Sequence, residues 1–262
     1  MNLFLYQAYY EKAQMKHLDS VCVPYDNTAN LTPELREYPF VKNLYEIHAK
    51  NEDDHWGLLS WRWYDKTKLE MKEFKEWILA NPGYDVYHLD PFLDVASTHM
   101  NLWVQGDIWH PGMIDFGNKL LPKMGLNFDL RELLYHPDDF ATCNYHVGNK
   151  KFWKSYISFI DHCLNLIEND EELKEFMYEK KRLYNGAMLP NFSFVIERLF
   201  SIHSICNRHI KIKKFPFENE SYERLFGSNY SLYLDLYNQR KEHYEMMLKN
   251  HEENYDKRVE LV

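Results

Sequence analysis

The side chains best suited to chemistry fall in five short stretches. In "HWGLLSWRWYDKT" (55–67) an apolar run ends at Ser60, Arg62 sits between Trp61 and Trp63, and Lys66 follows. A guanidinium presents a planar five-donor fork that matches a diphosphate, and flanking indoles would hold it in place and exclude water. The same residues also suit a cation–π surface cluster with no chemical role. "PYDNTAN" (24–30) crowds Asp26, Asn27, Thr28 and Asn30 behind an expected strand. Open α/β sheets bind ligands at such a place, and an Asx-turn has the same composition.

The other three stretches raise carboxylates and histidines. "DVYHLDPF" (85–92) carries Asp85 and Asp90. Paired carboxylates at a strand end can hold Mg²⁺ or Mn²⁺ against a nucleotide diphosphate, yet these two point to opposite faces of a strand. The spacing therefore argues against a metal site. "QGDIWHPG" (105–112) reads as a Gly- and Pro-punctuated loop. In it Asp107 is a candidate general base, with His110, Trp103 and Trp109 as candidate sugar contacts. "CNYHV" (143–147) adds Asn144 and His146, either as sugar contacts or as structural residues of a strand. In "FVIERLF" (194–200) Glu197 and Arg198 are adjacent within an apolar helical pattern. Neighbours on a helix point about 100° apart, so at least one faces the core or a pocket and needs a partner.

Regular elements must position these groups. "LFLYQAYY" (3–10) and "HWGLLSW" (55–61) read as strands, and "VCVPYDN" (21–27) alternates before it breaks at proline. Residues 32–50 are helical in pattern, with Thr32 as N-cap, Pro33 in the first turn and Pro39 as a kink or split. In 70–92, Phe74, Trp77 and Ile78 form an apolar stripe, "NPG" stops the helix, and "DVYHL" is extended. Strand, helix, strand at this spacing predicts an α/β fold. Further on, a helix is expected at about 111–121, a strand and turn at 142–149, and amphipathic helices over 150–170 and 191–207. The last 35 residues read as one long peripheral helix that frays at its end. The expected organisation is one α/β domain over 1–228 and a C-terminal helix over 229–262.

Composition narrows the classes. Charged residues make up 27% and apolar residues 45%, as in a globular protein, and the net charge of −9 speaks against a nucleic-acid binder. The four cysteines are widely spaced with no CxxC pair, so neither a zinc site nor a disulfide framework is expected. Reduced thiols in the cytoplasm fit best. No apolar run approaches the roughly 20 residues of a membrane span, and the first residues lack the marks of a signal peptide. The 20 Tyr and 7 Trp suit surfaces that stack on sugars or bases, and equally a core rich in rings.

Taken in order, "DNTAN" (26–30), "ELREYPFVKN" (34–43), "WGLLSWRWYDKT" (56–67), "NYHVGNKKFWKSY" (144–156) and "ERLF" (197–200) resemble the glycosyltransferases of the domain-of-unknown-function 4422 type, bacterial capsule and lipopolysaccharide enzymes. Ser60 and Trp61 stand where that family has His-Tyr, Arg62 alone remains of an arginine pair, and Ala29 replaces a glycine. The resemblance implies a GT-A-like fold: a mostly parallel sheet, helices on both faces and a helical C-terminal portion. It implies transfer of a hexose from a UDP-linked nucleotide sugar to a glycan or lipid-linked glycan, in the cytoplasm or at the inner face of the membrane. Asp26, Asn27, Asn30, Ser60, Arg62 and Lys66 would then bind the donor, and Asp107 or Glu197 would act as base. Trp103, Trp109, His110, Asn144 and His146 would contact sugar. With Arg62 on the diphosphate, a divalent metal becomes dispensable. A non-catalytic nucleotide- or glycan-binding module of a polysaccharide assembly cluster is the alternative.

Overall fold

The computed structural model describes residues 1–30, 32–182 and 188–259. The first part of the chain runs β1 (Asn2–Tyr9), β2 (Val23–Asp26), α1 (Tyr38–His48), β3 (Asp54–Ser60), α2 (Trp63–Thr67), α3 (Met71–Ala80) and β4 (Val86–His88). Helices α4 (Leu93–Thr98), α5 (Leu102–Trp109) and α6 (Met113–Lys123) lead to β5 (His146–Asn149) and α7 (Lys150–Glu168). The rest comprises α8 (Glu171–Tyr178), β6 (Lys180–Arg182), β7 (Met188–Pro190), α9 (Phe192–Cys206), β8 (Ile212–Lys214), α10 (Asn219–Phe226) and α11 (Tyr230–Val259).

Six strands form one sheet in the order β2-β1-β3-β5-β4-β8, and β6 pairs with β7 in a separate ribbon. β1 is parallel to both β2 and β3, and β4 is parallel to β8. β5 runs antiparallel to its neighbours β3 and β4. The sheet is thus mostly parallel, with one reversed strand set between β3 and β4. The strand-period alternation divides its side chains between two cores. Leu5, Leu59, Tyr87 and Val147 face α3 through Phe74 and Ile78. Trp56, Leu58 and Val86 face α1, α7 and α9, and the Trp56 and Trp153 rings stack at 4.3 Å. Helices therefore cover both faces.

Three local expectations change. Pro24 lies inside β2 rather than ending it, because β2 is an edge strand and needs one hydrogen-bonding side only. Pro39 does split the 32–50 helix: a short 3-10 turn at Pro33–Leu35 is followed by α1, where the proline sits in the first turn and loses no hydrogen bond. The stretch read as a loop at 105–112 is largely the helix α5. Asn101 caps α5 by accepting from the backbone of Trp103 and Val104. Gly106, which looks like a breaker, instead gives room to Arg198: a Cβ there would lie 2.2 Å from the Arg198 Nε.

α11 is held to the body. Ser97 donates to the Tyr233 carbonyl, Arg240 to the Ala96 carbonyl, and Tyr237 and Lys241 both reach Asp138. The expected fraying at residues 260–262 lies outside the described residues.

Candidate functional site at the carboxyl edge of the sheet

The two ends of the sheet differ in how their polar groups are satisfied. At the amino end, buried Asp54 accepts from Asn2 and Asn51 and pairs with His48 at 2.8 Å, and His48 in turn meets the Tyr6 hydroxyl. Asp85, at the start of β4, binds Lys151, Asn149 and the Lys211 N–H. At the carboxyl end, polar atoms of Asn27, Asp90, Asn144 and Tyr145 are buried without a hydrogen bond. Buried polar groups are ordinarily paired; orphaned atoms also occur on His55, Trp103, Asn191 and His203, and the four at this edge are those nearest the ligand-binding end of such a sheet. The same edge holds a switch point, of the kind at which open α/β sheets bind ligands: the chain leaves β1 for β2 on one side and returns from β2 through α1 to β3 on the other.

A cleft of ≈ 250 Å³ opens along this edge on the far side of β3, toward the ends of β4 and β5, lined by Lys66, Gln105, Cys143, Phe194, Glu197 and Arg198 among others. Each comes from a different argument of local structure. Lys66 is on α2, the short helix entered directly from β3; Trp63, one turn back, anchors α2 by burying its ring and donating to the Leu69 carbonyl. Cys143 precedes β5, and its thiol lies 3.7 Å from the Lys66 ammonium. Glu197 and Arg198 are on α9. Arg198 is fully engaged, donating to the carbonyls of Leu102 and Phe194 and to the Gln105 side chain. Glu197 is the member of the pair left to the cleft.

Electrostatics couple the ionisable groups of the cleft. Burial raises the Glu197 carboxyl above the ordinary range, Lys66 and Arg198 oppose that rise, and Glu37 adds to it. Burial also pushes the Cys143 thiol up to about 12. The thiol is therefore neutral at neutral pH, and Glu197 is the charge that balances Lys66. The Lys66 ammonium is raised, first by charge on Cys143 when that thiol ionises and also by the Glu197 carboxylate, against its own desolvation. Arg62 stands beside the cleft, where its charge acts on Lys66 and on the buried Tyr145 hydroxyl.

The residues singled out from the sequence separate into groups. Lys66 and Glu197 share the cleft; Ser60 is not in its lining, and accepts from the Arg62 N–H while its hydroxyl neighbours Tyr145. Arg62 is half-exposed and pairs with Asp65 at 3.9 Å. It is not framed by indoles: Trp63 turns into the core against Phe74 and Tyr145, and Trp61 packs on His17. Asn27 is buried and faces the Tyr10 hydroxyl without a hydrogen bond of ordinary geometry. Asp26 closes an exposed Asx-turn onto the N–H and hydroxyl of Thr28. Asn30 bridges the Arg36 carbonyl and the Thr32 N–H.

Others lie away from solvent or do structural work. Trp103 is fully buried, so the sugar-stacking face expected of it is inside the core. His146 is also in the core, stacked at 3.9 Å on Phe200. Asp107 is not poised as a free base, because its carboxylate accepts from the N–H groups of Gly112 and Ile114 at the start of α6. Trp109 is 71% exposed at the end of α5, and His110 stacks at 3.6 Å on Phe194, a wall of the cleft. Asp85 and Asp90 sit at opposite ends of β4. Among the described residues, no group of three or more His, Cys, Asp or Glu is placed to hold a metal ion.

Four site residues were not singled out in the sequence: Tyr10, Glu37, Cys143 and Tyr145. Tyr10 and Glu37 hydrogen-bond to each other, and Glu37 is the second carboxylate felt by Glu197. The chain matches no protein-family model, no curated protein and no solved structure. Among the described residues, no helix is long and apolar enough to cross a membrane.

Proposed function

We propose that the chain is a glycosyltransferase that moves a hexose from a nucleotide-sugar donor to a glycan acceptor. One observation carries the reading: at the carboxyl edge of the sheet, a cation delivered just after β3, Lys66, and a part-buried carboxylate from α9, Glu197, line a single cleft. Written as an inverting transfer, the donor diphosphate rests on Lys66 and Arg62. Glu197 takes the proton of the acceptor hydroxyl, whose oxygen bonds to the anomeric carbon. The bond from that carbon to the diphosphate oxygen breaks, and the nucleoside diphosphate leaves with the electron pair. Lys66 and Arg62 offset the charge that develops on it. A carboxylate whose pKa is raised above its ordinary range is a better base for this step.

The cleft's ≈ 250 Å³ falls below the roughly 300–1,000 Å³ of whole ligand pockets. It suits the diphosphate and the reacting sugar, with the nucleoside lying over Asn27 and Tyr10 toward β2. UDP as the nucleotide, a capsule or lipopolysaccharide glycan as acceptor, and action at the inner face of the membrane all come from the family resemblance. Thermal-shift screening against nucleoside diphosphates and nucleotide sugars tests the reading. At 100-fold its dissociation constant a donor should add about 2.7 kcal/mol of stability. Donor hydrolysis without acceptor separates the enzyme from a binding module, which would bind and not turn over. No stabilisation by any nucleotide would remove both.

A further inference from the structure

A second cleft lies farther along the same edge of the sheet. It measures ≈ 520 Å³, about twice the first, and it opens where the parallel strands β4 and β8 end. Its polar wall is made by His88, Lys214 and Asp139, and its apolar wall by Phe200, Phe217 and Tyr222. His88 and Lys214 are register partners at the carboxyl ends of their strands. We propose that this cleft binds a neutral, hydroxyl-rich ring, a saccharide residue, at a site separate from the diphosphate cleft and independent of its assignment.

The polar groups are unsatisfied in a way that calls for a ligand. His88 is 2% exposed and its Nδ1 has no hydrogen bond. Asp139 makes no side-chain hydrogen bond among the described residues, whereas its neighbour Asp138 is taken up by Tyr237 and Lys241. Lys214 uses one donor on the Pro137 carbonyl, at 3.4 Å, and lies over the Tyr237 ring. The wall thus offers acceptors and donors together. A sugar hydroxyl is both at once, which matches this mixture.

Other ligand classes fit less well. A planar heterocycle wants a slot between parallel rings, and here the rings pack on each other: Phe217 stacks on Tyr222 at 5.4 Å and meets Phe215 edge-on. An anion would face the carboxylates of Asp138 and Asp139 as well as Lys213 and Lys214, a wall without net positive charge. The two clefts back onto one group. Thr142, which lines the first, donates to the buried Asp90, and the Asp90 charge acts on Tyr222 and Tyr237 of the second.

Saturation-transfer difference NMR on the full chain tests the proposal, with glucose, galactose, N-acetylglucosamine and lactose as probes and adenosine as the heterocycle control. At about 10 mM, a millimolar dissociation constant is visible. At least one saccharide should show transfer and adenosine should not compete with it. Lys214→Met and Tyr222→Phe keep side-chain bulk while removing a polar group. Each should weaken saccharide binding about tenfold, with thermal melting used to confirm that the variants fold. UDP titration of Lys214→Met should match wild type, so failure of the first cleft's reading would be seen separately. The proposal is overturned if no saccharide shows transfer, if adenosine displaces it, or if both folded variants bind as wild type does.

Discussion

Gly106→Ala tests the contact that seats Arg198 and, through it, the wall of the cleft. In an ordinary helix interior this change gains about 1 kcal/mol of helix propensity. Here the new Cβ would lie 2.2 Å from the Arg198 Nε and 2.6 Å from its Cζ. The guanidinium is buried and held by three acceptors, so it has no free direction in which to move. Hydrogen bonds to a charged group are worth about 1.5–3 kcal/mol each, and stranding a buried charge costs about 3–5 kcal/mol. Allowing for the propensity gain and partial relaxation, we expect a net loss of about 2–4 kcal/mol. For a chain of this size that lowers Tm by about 5–15 °C. Urea unfolding of Gly106→Ala, Arg198→Met and the double variant reads the coupling directly. With the guanidinium gone, the added methyl should cost much less, giving a coupling energy of about 2 kcal/mol. A Gly106→Ala protein as stable as wild type, or more so, would refute the packing described for α5 and α9.

Other consequences can be measured alongside. Burial depresses the His146 imidazole to about 3 and that of His203 to about 4. With an unfolded value near 6.5, their contribution to stability is full above about pH 6.5 and is lost as pH falls toward 4 and 3, about 2 kcal/mol each by pH 5. Urea midpoints at pH 8 and pH 5 should therefore differ less for His146→Leu than for wild type, and equal differences would refute the assignment. Of the four thiols, Cys206 is exposed while Cys143 and Cys163 are buried with pKa values near 12. Ellman's reagent should label Cys206 rapidly, and Cys143 and Cys163 only after unfolding; fast labelling of Cys143 would show the cleft to be more open than described. Gly57→Ala should be severely destabilising, since its Cβ would meet the His146 carbonyl at 2.3 Å, and wild-type stability would contradict the β3–β5 approach.

Much of the architecture was legible because it is periodic. The strands β1 and β3 and the helices α3, α7 and α9 each carry an apolar pattern long enough to identify type and buried face. α5 was missed because Gly106 and the following Pro-Gly imitate a loop, while the reason for the glycine, Arg198, lies 92 residues away in the chain. No local pattern reports such a contact. The same holds for the reversed β5, which depends on pairings to β3 and β4. Within the cleft, Glu197 and Arg198 were visible as charges in an apolar helix. Cys143 was not, nor were Tyr145, Tyr10 and Glu37 outside its lining, since an isolated thiol, carboxylate or tyrosine carries no signal until folding brings separate elements together. Trp103 and His146 show the reverse error, in which residue types suited to sugar binding turn out to serve the core.

The central claim is that the cleft beside β3, at the carboxyl edge of the sheet, binds a nucleoside diphosphate through Lys66 and Arg62. Isothermal titration of UDP into wild type, with and without EDTA, and into Lys66→Met and Arg62→Ala is the most direct measurement. Lys66 faces the cleft and should contribute most, so Lys66→Met is expected to weaken binding by more than about tenfold. Arg62 is 44% exposed, and solvent screening limits its loss to about three- to fivefold. EDTA should leave the wild-type affinity unchanged. Binding abolished by EDTA would contradict the metal-independent site and move attention to Asp90, and UDP affinity unaltered in both variants would contradict the site itself.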